Sequence, residues 1–355
     1  MATKRITSTR LLQACAFAAA LGAAAACALE PSASPAASAP VPSTFALPFT
    51  GQLGRSTPPR SITIHYSAHT GRIRDAVVLL PSGYRDGERR SLPLVIFVHG
   101  RGHSAAQDAV RVGNLPSVGN FAVVVPDGEG RKLHRYSWGA RGQIADLARM
   151  PRIVEAALPW VHIDHSRLYA VGGSMGGQET LLLVARYPHL LAGASAVDGV
   201  TDFALQYKNW PRLPCGPACK ASVGNLGRHL QAKARREVGG TPAQYPNRYA
   251  DRSAMSSVPT IASSCTRLQL WWSHKDVVVM DAEHQEGRLY AALRATGTAG
   301  RVDEFVGYWP HTRPMNASTD LPRMLVGFGL LPAQFDLERV GSTHHALVGN
   351  GCGDA

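Results

Sequence analysis

Short apolar runs recur along the chain at strand length, and amphipathic segments lie between them. Residues 61–66 alternate polar and apolar, as a half-exposed strand does. Residues 75–80 form a second run, ended by Pro81-Ser82-Gly83. Residues 94–98, 121–125, 168–171 and 192–197 are almost wholly apolar or small, which fits strands buried on both faces. Two more runs follow at 268–272 and 302–306. Ser104 with Gln107 three positions on reads as a capping box opening a helix. Ile144, Leu147, Val154, Ala157 and Leu158 give a helical apolar face, with Pro151 starting or kinking it. The segment 176–187 contains Leu181-Leu182-Leu183-Val184, apolar all round, so it is expected to be a deeply buried helix. A helix over 282–296 is expected to stop at Gly297, with Asp281 as its cap.

Strands alternating with helices predict an α/β fold, a mostly parallel sheet covered on both faces. No helix separates the first two strands, so they are expected to pair as an antiparallel hairpin at the sheet's edge. Residues 203–258 break the pattern. They are rich in Pro, Gly, Arg and Asn, and read as a cap-like segment inserted after the sixth strand.

The N-terminus is organised differently. Lys4, Arg5 and Arg10 precede an apolar stretch, 11–26, and small residues then surround Cys27. This is the layout of a secretory signal peptide over residues 1–28. Cys27 after three alanines also fits a lipoprotein signal, in which case a lipidated Cys27 tethers the protein to a membrane. The Pro/Ala/Ser-rich stretch 29–44 reads as a linker, leaving 45–355 as the folded domain. The chain carries 37 Lys+Arg against 25 Asp+Glu. The basic residues are scattered rather than blocked, which argues against a nucleic-acid partner. Four cysteines lie beyond residue 28: Cys215, Cys219, Cys265 and Cys352. An even number in an exported chain predicts two disulfides. Three pairings are open; Cys215 with Cys219 would close a small loop and leave Cys265 to tie down Cys352. No CxxC pair or His spacing suggests a metal site.

The sharpest chemical signal is Gly172-Gly173-Ser174-Met175-Gly176-Gly177, between a strand and an apolar helix. A G-x-S-x-G there is a nucleophile elbow. The serine needs a base and an orienting acid, in the order Ser, Asp/Glu, His. Asp276 follows the 268–272 strand and His311 follows the 302–306 strand, where the active-site loops of open sheets gather. The rivals fit less well. Asp281 reads as a cap, Asp303 lies inside a strand, and His274 precedes the acid. The oxyanion hole is expected from the backbone N–H groups of Met175 and Arg101, the latter in His99-Gly100-Arg101-Gly102, with His99 holding that loop by hydrogen bonding. Trp309 and Trp138 are candidates for an aromatic substrate wall, or else are core. Asp198 and Asp202 would bind a polar substrate group or cap the inserted segment.

HGRG, GGSMGG, SHKDVVV and WPHT together resemble the α/β-hydrolase fold of serine hydrolases. The doubled glycines around Ser174 are similar to prolyl oligopeptidase-type catalytic domains. The passage from Leu80-Pro81-Ser82-Gly83-Tyr84 into Pro93-Leu94-Val95 looks like secreted feruloyl esterases and polyhydroxybutyrate depolymerases. Prolyl oligopeptidases carry a β-propeller ahead of this domain, for which the chain has no room. The resemblance implies an exported hydrolase of small or polymeric carboxylic esters that needs no cofactor. A serine peptidase is the alternative reading, and a non-catalytic surface-binding lipoprotein is the alternative from another class.

Overall fold

The computed structural model describes residues 57–129 and 135–352. The expected signal segment, Cys27 and the 29–44 linker lie outside the described residues. Nine strands form one sheet: β1 Arg60–Ser67, β2 Ile73–Leu80, β3 Leu92–Val98, β4 Ala122–Pro126, β5 Ile163–Gly173, β6 Gly193–Val197, β7 Arg267–Ser273, β8 Val302–Gly307 and β9 Ser342–Leu347. Their order is β1-β2-β4-β3-β5-β6-β7-β8-β9. From β4 through β8 every neighbour is parallel. The hairpin β1–β2 pairs antiparallel at one edge, as the lack of a helix between the two strands predicts, and β9 pairs antiparallel with β8 at the other.

The strand residues divide between two cores, because successive side chains point to opposite faces. Leu94, Ile96 and Val98 face one core, and Val95 and Phe97 the other. Helix α1 (Ala105–Val112), α2 (Leu115–Gly119) and the later Leu321–Gly327 helix cover the second face. Helices α3 (Arg141–Ala157) and α4 (Met175–Arg186) cover the first. The capping box opens α1: Gln107 N donates to Ser104 Oγ, and Ser104 N donates to the Gln107 side chain at 3.0 Å. Helix α3 runs through Pro151 rather than beginning there. All of α4 up to Ala185 is buried, which its apolar run required.

After β6 the inserted segment forms α5 (Phe203–Asn209), α6 (Pro217–Val223), α7 (Leu226–Val238), α8 (Pro246–Ala250) and α9 (Val258–Ala262). It builds a third apolar cluster in which Phe203, Trp210, Leu230 and Tyr249 pack against Trp138 and Met175. Helix α10 spans Glu286–Thr296, shorter than expected, because a separate turn occupies Ala282–His284. Asp281 is not its cap; the carboxylate pairs with His284 at 2.6 Å instead. The last helix, Leu321–Gly327, is α11. Two disulfides join Cys215 to Cys219 and Cys265 to Cys352. Such bridges belong to an oxidising environment. Among the described residues no helix is long and apolar enough to cross a membrane.

Candidate active site

Strands β5, β6, β7 and β8 lie side by side and parallel, so the loops at their C-terminal ends collect on one edge of the sheet. Ser174 follows β5 directly, with φ 59° and ψ −122°, a backbone state that ordinary residues avoid. Its N–H donates to Val197 O at 2.9 Å, which fixes the turn against β6. The flanking glycines are required by approach distance. A Cβ on Gly176 would stand 2.2 Å from Val98 O, and one on Gly172 would stand 2.3 Å from Gly176 O. The turn therefore presents Ser174 at the start of α4, where unpaired backbone N–H groups gather.

The loop after β7 brings Asp276, whose side chain is almost fully buried. Its Oδ1 accepts from Val278 N at 2.7 Å and Val279 N at 3.2 Å. Its Oδ2 lies 2.7 Å from His311 Nδ1. An ionised carboxylate can only accept, so the proton sits on Nδ1 and leaves Nε2 with a free lone pair. Burial alone would lower the His311 pKa. The neighbouring Asp276 charge and hydrogen bond outweigh it, and the imidazole is held above its ordinary range. Ser273, at the end of β7, locks the two loops together: it donates to Trp309 O at 2.7 Å and accepts from Trp309 N at 2.8 Å. The rivals are occupied elsewhere. Asp303 pairs with Arg301 and His344, while His274 is exposed and packs edge-on against Trp272.

Ser174 opens onto a cavity that Arg101, Trp138 and Met175 also line, closed by Trp210, Leu213 and Leu230 of the inserted segment. Those three expected contributors thus meet at one place. Trp309 does not join them. It is 2% exposed, packs in the second core and donates its indole N–H to Asp198 at 3.2 Å, so it is a core residue and no part of a substrate wall. Asp202 caps α5 by accepting from Leu205 N at 3.0 Å. Asp198 is fully buried and turned toward the His311 loop rather than toward the cavity. His99 holds its loop as expected, and also accepts from Gly128 N at 2.7 Å, tying the loops after β3 and β4 together.

One feature of the Tyr136–Trp138 segment is invisible in the sequence. Glu237 accepts from Tyr136 N at 2.9 Å, Glu179 is hydrogen-bonded to Ser137, and the charge of Glu129 acts on both acids. Burial, reinforced by that charge, pushes Glu179 and Glu237 each up to about 7. These acids are scattered along the chain, and only the fold gathers them under the loop that carries Trp138.

The model of the prolyl oligopeptidase family matches residues 119–214, the stretch that contains the Ser174 elbow. No curated protein matches the chain. Among solved structures, a puromycin-hydrolysing peptidase of Mycobacterium tuberculosis superposes with a TM-score of 0.57 at 19% identity, over 77% of this chain and 39% of that one. An acylaminoacyl peptidase of Pyrococcus horikoshii gives 0.58 at 14% identity, over 79% and 42%. A fluorophosphonate-binding serine hydrolase of Staphylococcus aureus gives 0.50 at 15% identity, over 72% and 92%. The chain thus spans about two fifths of the length of the two peptidases. These neighbours share the α/β-hydrolase fold with this chain. The resemblance to prolyl oligopeptidase-type catalytic domains is borne out over the elbow and its surroundings.

Proposed function

We propose that the protein is an exported acyl hydrolase working through Ser174, His311 and Asp276, with carboxylic esters as its substrates. The observation that carries this reading is the 2.7 Å contact between His311 Nδ1 and the buried Asp276, on the same sheet edge as the strained Ser174 turn. Ser174 Oγ attacks the acyl carbon while His311 Nε2 takes its proton. The carbonyl oxygen becomes an oxyanion, held by the N–H groups of Met175 and Arg101. Collapse expels the alcohol, which receives the proton from His311. Water then repeats the sequence on the acyl-Ser174 ester, releasing the acid and restoring the serine. The aromatic and aliphatic cavity beside Ser174 suits an apolar acyl or aryl group. Export is supported by the N-terminal sequence layout and the disulfides.

A second reading, hydrolysis of aminoacyl or peptidyl amides, is favoured by two observations. The family match is to oligopeptidases, and Glu179 and Glu237 hydrogen-bond to Ser137 and Tyr136, next to the cavity-lining Trp138, as acidic groups for a substrate ammonium. Comparing kcat/KM on p-nitrophenyl butyrate with kcat/KM on alanyl and prolyl p-nitroanilides separates the two. The ester reading expects the ester to exceed the anilides by at least ~1,000-fold. A ratio near unity, falling when Glu237→Gln is made, would establish the peptidase reading in its place.

A further inference from the structure

The inference concerns Asp198 and rests on the assignment of Ser174, His311 and Asp276 made above. Asp198 stands at the C-terminal end of β6, between the strand that delivers Ser174 and the strand that delivers Asp276. It is fully buried, with φ at 48°, in the left-handed region. Its N–H donates to Trp271 O at 2.7 Å, so the turn is anchored to β7. Its Oδ2 accepts from Thr312 N at 2.7 Å and from the Trp309 indole at 3.2 Å. These two donors bracket His311 in the chain, so one oxygen of Asp198 fixes the turn on which the imidazole is mounted. Its Oδ1 is buried and has no hydrogen-bond partner among the described residues. One oxygen of Asp198, one of Asp276 and one ring nitrogen of His311 all lie within 4.8 Å of one another.

Holding the turn needs only an acceptor, which an asparagine carbonyl also supplies, though its amide NH2 would stand where the second carboxyl oxygen is. The unused, buried oxygen of a side chain that reaches His311 is what needs a reason, since a buried polar atom is rarely left without a partner. We propose that Asp198 is a second acid of this site: a positioning residue that holds the His311 turn by one oxygen, and supplies the negative charge for the imidazolium when Asp276 cannot.

The neighbouring groups decide which acid is ionised at rest. Asp198 faces Asp276 from β7's loop, His311 from β8's loop and the fully buried Glu286 of α10, with Arg101 and Glu304 acting on the same groups from farther out. Burial and like charges push Asp198 and Glu286 toward their neutral forms. Asp276 has the most donors around it, two backbone N–H groups and His311. Burial and the Asp276 charge hold Asp198 above the carboxylate range, and burial holds Glu286 far above it. Removing the Asp276 charge removes that repulsion. Asp198 is then the acid left within reach of the imidazole.

The test is a double-mutant cycle in Asp198→Asn and Asp276→Asn, read as kcat/KM on p-nitrophenyl butyrate with folding checked by circular dichroism. We expect Asp198→Asn alone to lose about threefold to tenfold and Asp276→Asn alone about 100-fold. The double variant should lose about 10,000-fold, the scale of losing triad acid function altogether. That is more than the product of the single losses, a pattern that two independent structural defects would not give. A double variant at or below the product of the singles overturns the proposal. If Asp276→Asn alone already falls about 10,000-fold, standby is likewise refuted. Activity that survives Ser174→Ala would instead strike the underlying assignment, so the two failures are distinguishable.

Discussion

At the scale of single residues, the choice among 14 histidines turns on chain order and strand position. His311 was legible because it follows an apolar run and comes after an acid that also follows one. The structure gives it a buried carboxylate partner and leaves His274 exposed. For Trp309 the sequence left substrate wall and core open, because closeness to His311 in the chain does not say which way a side chain points; the fold puts it in the second core. Asp198 was visible only as an acid ending an apolar run; nothing local announced that β6 would set it beside His311. The raised His311 pKa has a kinetic consequence. Imidazole must be neutral to accept the serine proton, so kcat/KM should climb with pH along a limb above the ordinary imidazole range. His274→Ala should leave both limb and rate within about twofold, whereas His311→Ala should cost on the order of 1,000-fold or more. A pH–rate profile of the three proteins checks this. A dead His274 variant beside an active His311 variant would reverse the assignment.

At the scale of elements, alternation found the half-exposed β1 and apolar runs found the next seven strands, because burial on both faces leaves an apolar signature. They missed β9. Its Ser-Thr-His-His-Ala-Leu sequence is mostly exposed, and it forms by pairing with β8 and by side-chain contacts such as the His344–Asp303 bond at 2.9 Å. The short helices of the inserted segment were equally illegible. They depend on aromatic packing around Trp138 rather than on long periodic stretches of their own. Cys265 and Cys352 tie the C-terminal tail beyond β9 to the start of β7, which carries Asp276. The bridge closes a separation of 87 residues. Replacing both cysteines by serine should cost about 2–4 kcal/mol, mainly by freeing the unfolded chain. Urea unfolding measures it directly, with the Cys215–Cys219 pair left intact. An unchanged midpoint would mean that the tail is held by its strand pairing alone.

At the scale of the whole molecule, the sheet brings together residues far apart in sequence. Arg101, Ser174, Asp276 and His311 come from four loops, yet parallel neighbours place all four loops on one edge. The inserted segment lines that cavity with Trp210, Leu213 and Leu230, so part of its wall comes from the stretch of chain whose fold was least legible. The catalytic edge was readable because its geometry follows from short motifs at strand ends. The acidic group of Glu129, Glu179 and Glu237 was not, because only tertiary packing assembles it. The central claim is that Ser174 is the activated nucleophile. It is tested most directly by incubating the folded protein with a fluorophosphonate probe and mapping the adduct by peptide mass spectrometry, with Ser174→Ala alongside. The account predicts one adduct, on the peptide containing Ser174, absent from the variant, together with loss of esterase turnover by several orders of magnitude. An unlabelled wild-type protein, or a Ser174→Ala variant that labels and turns over as wild type does, would contradict it.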